Sequence, residues 1–200
     1  MADIEKVEYK PISVRDLLIE VKDISELMID LAYSAALFDN EELAEEVMDL
    51  ESQVKTLTYL INMNAMLAAR DAEDAEALVG VPMVASSAEK ISDAAADIAT
   101  IVLKDIRIHP IIRDVFRKVE EQLARIKIES TSFLISKRID ELKLAAEIGV
   151  NILAIRRGKR WILDPEDEEI IQEEDILIVR GTQKGIEELG KAAKGKLKEL

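Results

Sequence analysis

Residues 130–182 read STSFLISKRIDELKLAAEIGVNILAIRRGKRWILDPEDEEIIQEEDILIVRGT. This stretch decides the fold, because the chain before it reads as helix and this part does not. Apolar residues alternate from Val150 to Ile155, with Val150, Ile152 and Ala154 on one side and Asn151, Leu153 and Ile155 on the other. Neither side is strongly polar, so both faces of this strand are expected to be covered, one by a helix and the other by a second subunit. Arg157-Gly158 is the expected turn, and Lys159 to Leu163 the returning strand. Asp164-Pro165 ends it, since proline has no N–H for a ladder. Glu173-Glu174-Asp175 is a polar turn before the apolar run Ile176 to Val179, a central-strand candidate broken by Gly181-Thr182. A helix carrying Ile139, Leu142 and Ala145 precedes this, starting at Ser136 or Lys137 and capped by Gly149. A last helix is expected over 183–198, weakened by Gly185, Gly190 and Gly195 so that its last turns fray.

Upstream, the spacing is helical throughout. Pro11 argues against helix in residues 1–12, and Ser13 is positioned to cap the first helix. Val14, Leu17, Leu18, Val21, Ile24, Met28 and Leu31 place that helix up to about Leu37, and Asp39-Asn40 is the connection. Leu43, Val47, Leu50, Val54, Leu57 and Ile61 follow at alternating spacings of four and three, which predicts an antiparallel hairpin. A third segment starts near Asp71 and is interrupted at Gly80 and Pro82. In it Val84, Ala88, Ile91, Ala95, Ile98 and Val102 form the expected seam. After the turn at His109-Pro110, Ile112 to Ile126 predicts a fourth helix. The expected fold class is therefore α+β. It comprises an extension over 1–12, an antiparallel helical bundle over 13–129 and a small α/β domain over 130–200.

Composition narrows the function. The 200 residues are 48% hydrophobic but only 4% aromatic, so the core is aliphatic. With no cysteine there are no disulfides or thiolate metal sites. No stretch approaches 18 uncharged apolar residues, so no direct membrane insertion is expected. No secretory signal is read at the N-terminus, and a cytoplasmic location is the expectation. The net charge of −14 is uneven: residues 130–200 hold 13 basic and 14 acidic residues, and residues 1–129 carry the remaining −13. That charge argues against a nucleic-acid partner. No Gly-x-Gly-x-x-Gly occurs, so no NAD site is expected. No base and nucleophile pair suggests an enzyme. His109 reads as a helix-boundary residue, Trp161 as core or interface packing, and Met63 and Met66 as bundle filler.

Two sets of residues carry candidate chemistry. Glu45 and Asp49 share one helix face, about 200° from Val47, and Glu89, Asp93 and Asp97 form a longer row. Carboxylates suit divalent or other hard cations, and a solvated acidic face is the alternative. Arg156 and Arg157, with Asn151 on the same strand, are candidates to hold a phosphate or nucleotide in a dimer cleft; the alternative is an ordinary surface in which they balance local acids.

The run FLISKRIDELKLAAEIGVNILAIRRGKRWILDPEDEEIIQEEDILIVRGT resembles the TrkA-C domain, the C-terminal half of the RCK domain, over residues 128–190. Its strong elements are Ile148-Gly149-Val150, Ile152 to Gly158, and Glu174 to Val179 before Gly181. Residues 15–128 resemble the PhoU-type helical domain, on ELAEEVMDLE from Glu42 to Glu51 and EKISDAAADIAT from Glu89 to Thr100. The first resemblance implies a homodimer that binds a small regulatory ligand, a cyclic dinucleotide or an ion. It places the chain in potassium and cation transmembrane transport, as a regulatory subunit that contacts a membrane cation transporter or channel from the cytoplasm. The second implies metal ions on the outside of the bundle, at positions such as Glu45, Asp49, Glu89, Asp93 and Asp97. The alternative it offers is a metal-binding regulator of phosphate transport.

Overall fold

A computed structural model describes residues 11–106, 121–197 and 199. The extension up to residue 10, His109 and most of the expected fourth helix lie outside the described residues. The chain divides into two compact units, 1–108 and 109–200.

In the first unit, α1 (Val14–Phe38), α2 (Glu41–Ala68), α3 (Ala72–Leu78) and α4 (Gly80–Leu103) follow one another, and α1, α2 and α4 pack together. Ser13 precedes α1 without a side-chain cap; its carbonyl accepts from Leu17 N–H at 3.0 Å. Asn40 does cap α2, its Oδ1 accepting from Leu43 N–H at 3.1 Å. The expected break falls at Val79. Pro82 is tolerated because it sits in the first turn of α4, where no intrahelical N–H is needed.

The α2 seam from Leu43 to Ile61 is buried as its spacing predicts. The α4 seam holds only in part: Ala95 and Val102 are buried as expected, but Val84 and Ile91 are exposed, and Ala85, Ser92, Ala96 and Ala99 are inside. The buried stripe shifts about one residue from the expected seam in the first half of the helix and widens to include it in the second. Small residues let α4 approach α1, where Ser25 Oγ and Ser92 Oγ lie 3.2 Å apart. The wider Val and Ile would hold the helices apart. Met66 is likewise exposed rather than filling the bundle. Thr58 Oγ1 is buried and finds no hydrogen-bond partner among the described residues. Replacing it with valine removes a desolvated hydroxyl at similar volume. Thr58→Val should stabilise the bundle by about 1 kcal/mol in urea unfolding.

The second unit is a four-stranded antiparallel sheet of order β1-β4-β2-β3. Its strands are β1 (Gln122–Lys127), β2 (Val150–Arg157), β3 (Arg160–Leu163) and β4 (Ile176–Gly181). The end of the expected fourth helix is therefore strand β1. Its Ala124 and Ile126 join the core, and its backbone pairs with β4 from Gln122↔Gly181 to Lys127↔Ile176. Long-range pairing overrides the helical spacing of Leu123 and Ile126. It also brings the second unit forward of the expected boundary at 130.

The expected helix before β2 forms as two single turns, α5 (Ile139–Leu142) and α6 (Leu144–Glu147), divided by Lys143 at φ 47°. The last helix, α7 (Gln183–Ala193), stops short of 198, with Gly195 at φ 67° just beyond it. Residues from α5, α6 and α7 close the core over one sheet face together with Ile126, Val150, Ile155, Leu177 and Val179.

Candidate functional site

The alternation in β2 changes phase. Its register with β4 shifts between Ile152 and Ala154, leaving Leu153 as an extra residue. Val150, Ile152 and Ile155 therefore belong to the helix-covered core, and Ala154 leaves it. The simple alternation that grouped Ala154 with Val150 and Ile152 does not account for this bulge. It turns Asn151, Ala154 and Arg156 onto the second sheet face.

Cross-strand register assembles that face from all four strands. One row runs Lys127, Ile176, Arg156, Trp161; the next Arg125, Ile178, Ala154, Leu163; the third Leu123, Arg180, Asn151. Ala154 and Ile178 are fully buried at its centre. Arg125, Arg156 and Arg180 are half-buried around them, and Asn151 is exposed. Neighbouring strands lie about 4.8 Å apart, so these three arginines come from a patch roughly 10 Å across. Lys127 Nζ meets Glu174 Oε2 at 2.7 Å at its margin. An apolar centre ringed by guanidinium groups suits a flat ligand bearing phosphates. Trp161 shares the face as the cross-strand partner of Arg156. Sequence reasoning missed Arg125 and Arg180. The signal exists only once β1 and β4 are paired, because neither residue has a distinctive neighbour along the chain.

Arg157 has a different task. Its Nε donates to Asp175 Oδ1 at 2.8 Å and its Nη2 to Asp175 Oδ2 at 2.8 Å. Nη1 donates to Glu169 Oε1 at 3.0 Å, and Nη2 also to the Ile170 carbonyl at 2.8 Å. Asp175 is fully buried and also accepts from Gln172 N–H. The hydrogen bond to Asp175 is the chief cause that raises the Arg157 guanidinium above its ordinary value, partly opposed by burial. Its donors thus hold the segment before β4 and do not point to an outside anion.

The acidic rows form no cluster of three or more carboxylates among the described residues. Glu45 and Asp49 are exposed on α2, and Asp93 and Asp97 are exposed on α4. Lys55 lies between the helices, 3.9 Å from Asp93 and paired with Glu51. Burial, then Asp93, raise Glu89 above its ordinary value, against the pull of Lys55. No group of three or more metal-binding side chains occurs among the described residues.

Residues 18–102 match the PhoU domain and residues 123–194 the TrkA-C domain. The Ktr system potassium uptake protein C of Bacillus subtilis (strain 168) is 37% identical over 67 residues, 34% of this chain. That match spans only 30% of the relative. The C domain of the regulator of conductance of K+ from potassium transport protein KtrA, in complex with cyclic diadenosine monophosphate, is 26% identical. It aligns with 41% of this chain and 94% of its own, at a TM-score of 0.34. S. agalactiae BusR in complex with its busAB-promotor DNA aligns with 92% of this chain and 96% of its own, at 12% identity and a TM-score of 0.36.

Two expectations are corrected here. The exclusion of a nucleic-acid partner does not stand, because it rests on net charge alone. A net charge sums over the chain, whereas phosphate contacts are local, and here Arg125, Lys127, Arg156 and Arg180 share one sheet face. Cation transmembrane transport does not stand as an activity of this chain either: among the described residues no helix is long and apolar enough to cross a membrane. What the residues do support is an α/β unit of the TrkA-C type. The chain carries a PhoU-like helical region over 18–102 followed by a TrkA-C domain over 123–194.

Proposed function

We propose that this protein is a cytoplasmic regulator of a potassium or other cation transporter or channel. Its TrkA-C domain senses a small anionic ligand of the nucleotide class and acts as a homodimer. The observation that carries this reading is the sheet face on which Asn151, Arg156, Arg125 and Arg180 ring a buried apolar centre. Cyclic diadenosine monophosphate, bound by the KtrA domain, has the required chemistry: two phosphates for the arginines and two flat bases for the apolar surface and Trp161. A ligand of this kind controls a partner only by binding one arrangement of the protein more tightly than another. The helical unit is the part that passes such a change on.

Titration calorimetry of the full chain with cyclic diadenosine monophosphate tests this. Arg156→Ala is expected to weaken binding at least about tenfold, the loss of one or two charge-assisted bonds, with the unfolding midpoint unchanged. An unchanged Kd removes Arg156 from the site.

A further inference from the structure

Among the described residues, the end of the helical bundle where α2 finishes exposes large apolar side chains. The antiparallel course of α2 and α4 brings the end of one beside the start of the other. There Met66 is 70% exposed, Leu67 65%, Val79 59%, Met83 65% and Val84 60%. Surface residues of this size are normal singly, but five where the end of α2 meets the start of α4, with Val79 just before it, mark an interaction surface. Methionine is the adaptable side chain of such surfaces. The joining helix α3 buries none of its residues and lies alongside with Glu73, Asp74 and Glu76. Residues 63–86 hold four carboxylates against Arg70 alone, a local charge of −3, and Arg70 Nε is already bonded to Asp74 at 2.9 Å.

We infer that this end is a docking surface for a basic amphipathic helix, one whose apolar face enters the methionine patch while its Lys and Arg flank α3. Charge complementarity selects this occupant. A second copy would set two ends of −3 against each other, and like charges in apposition disfavour that pairing. A basic helix gains on both counts, as in the helix-in-groove mode of recognition. Such segments are characteristic of the cytoplasmic flanks of membrane-spanning helices, where Lys and Arg are in excess. The inference thus rests on the reading that the helical unit engages a membrane transporter, and it supplies the surface.

The test uses the full chain and a labelled helical peptide of leucine and lysine at amphipathic spacing, beside a twin with glutamate for lysine. Fluorescence anisotropy should show binding of the lysine peptide alone, weakened by added salt. Met66→Ser with Met83→Ser should weaken it at least about tenfold, and Glu73→Lys with Glu76→Lys likewise. Phe38→Ser, at the other end of the bundle, should leave it unchanged. Equal binding of the glutamate twin overturns the inference. So does lysine-peptide binding indifferent to the methionine pair, which would mean general attraction to an acidic protein. A native mass spectrum in which the methionine pair abolishes a dimer overturns it in favour of a second copy. Binding of vesicles rich in anionic lipid through the same residues overturns it in favour of a membrane. A chain that binds nucleotide but no lysine peptide overturns this surface and leaves the sensor reading standing. Peptide binding without nucleotide binding supports the surface and counts against the sensor.

Discussion

Gly185→Ala should destabilise the TrkA-C unit by about 3 kcal/mol, at the upper end of what overpacking costs. Gly185 lies in the first turn of α7, where its N–H donates to the cap oxygen of Thr182 at 3.2 Å. A Cβ placed there would run into the carbonyl oxygen of Ile148 and come within 2.8 Å of Val150 Cγ2. Both obstacles belong to the turn entering β2, one of them is backbone, and Gly149 between them already sits at φ 66°. The turn cannot retreat without moving Val150, whose side chain is in the core, so α7 must lift off the sheet. The unfolding midpoint of this unit should fall by more than about 10 °C. Gly190→Ala in the same helix is the control. Nothing lies within 4 Å of its Cβ position, and the helix should gain about 0.5–1 kcal/mol from the better helix former. Equal midpoints for the two variants would show that α7 does not approach β2 as closely as described.

The glycines of α7 also show where sequence reading stops. As sequence, Gly185, Gly190 and Gly195 look alike, three weak points in one helix. In the fold they differ: Gly185 is a packing site, Gly190 is open, and Gly195 carries a positive φ against Thr131. Local pattern did reveal the elements. The α2 seam, the turn at Gly158, the end of β3 at Asp164 and the run from Ile176 were legible because side-chain period and turn chemistry are local. What depended on partners was not. The α4 seam is set by how close Ala and Ser let it come to α1, and β1 exists because β4 pairs with it. The candidate site suffered most from this. Asn151 and Arg156 are legible as candidates along one strand, but Arg125 and Arg180 join them only through register, and the bulge at Leu153 decides which face they share. Arg157, next to Arg156 in sequence, was grouped with it for its charge; one step along the strand it is bonded into the protein itself.

That separation yields the second large effect. Arg157→Ala should cost the TrkA-C unit about 3–5 kcal/mol, because it strips the partner from a fully buried carboxylate. Both oxygens of Asp175 receive a guanidinium N–H, and Gln172 N–H alone cannot replace them. The same guanidinium ties Glu169 and the Ile170 carbonyl, so the segment leading into β4 loses its anchor. Arg157→Lys keeps the charge but not the fork and should recover only part of the loss. Replacing both partners, Arg157→Met with Asp175→Leu, removes the stranded charge and should cost less than Arg157→Ala alone. The sign of the pH dependence follows from the raised Arg157 value. Its contribution is complete below the ordinary arginine range and is lost only above the raised one, so on the arginine side the deficit should be flat across about pH 6–9. Urea unfolding at several pH values measures this. It also decides how ligand data are read. A titration in which Arg157→Ala abolishes nucleotide binding speaks of the fold, since the unit is then partly unfolded. The same loss in Arg156→Ala, with the midpoint unmoved, speaks of the site. If Arg157→Ala left stability intact and weakened binding alone, Arg157 would belong with Arg156 after all, and its bonds to Asp175 would be ones that the ligand displaces.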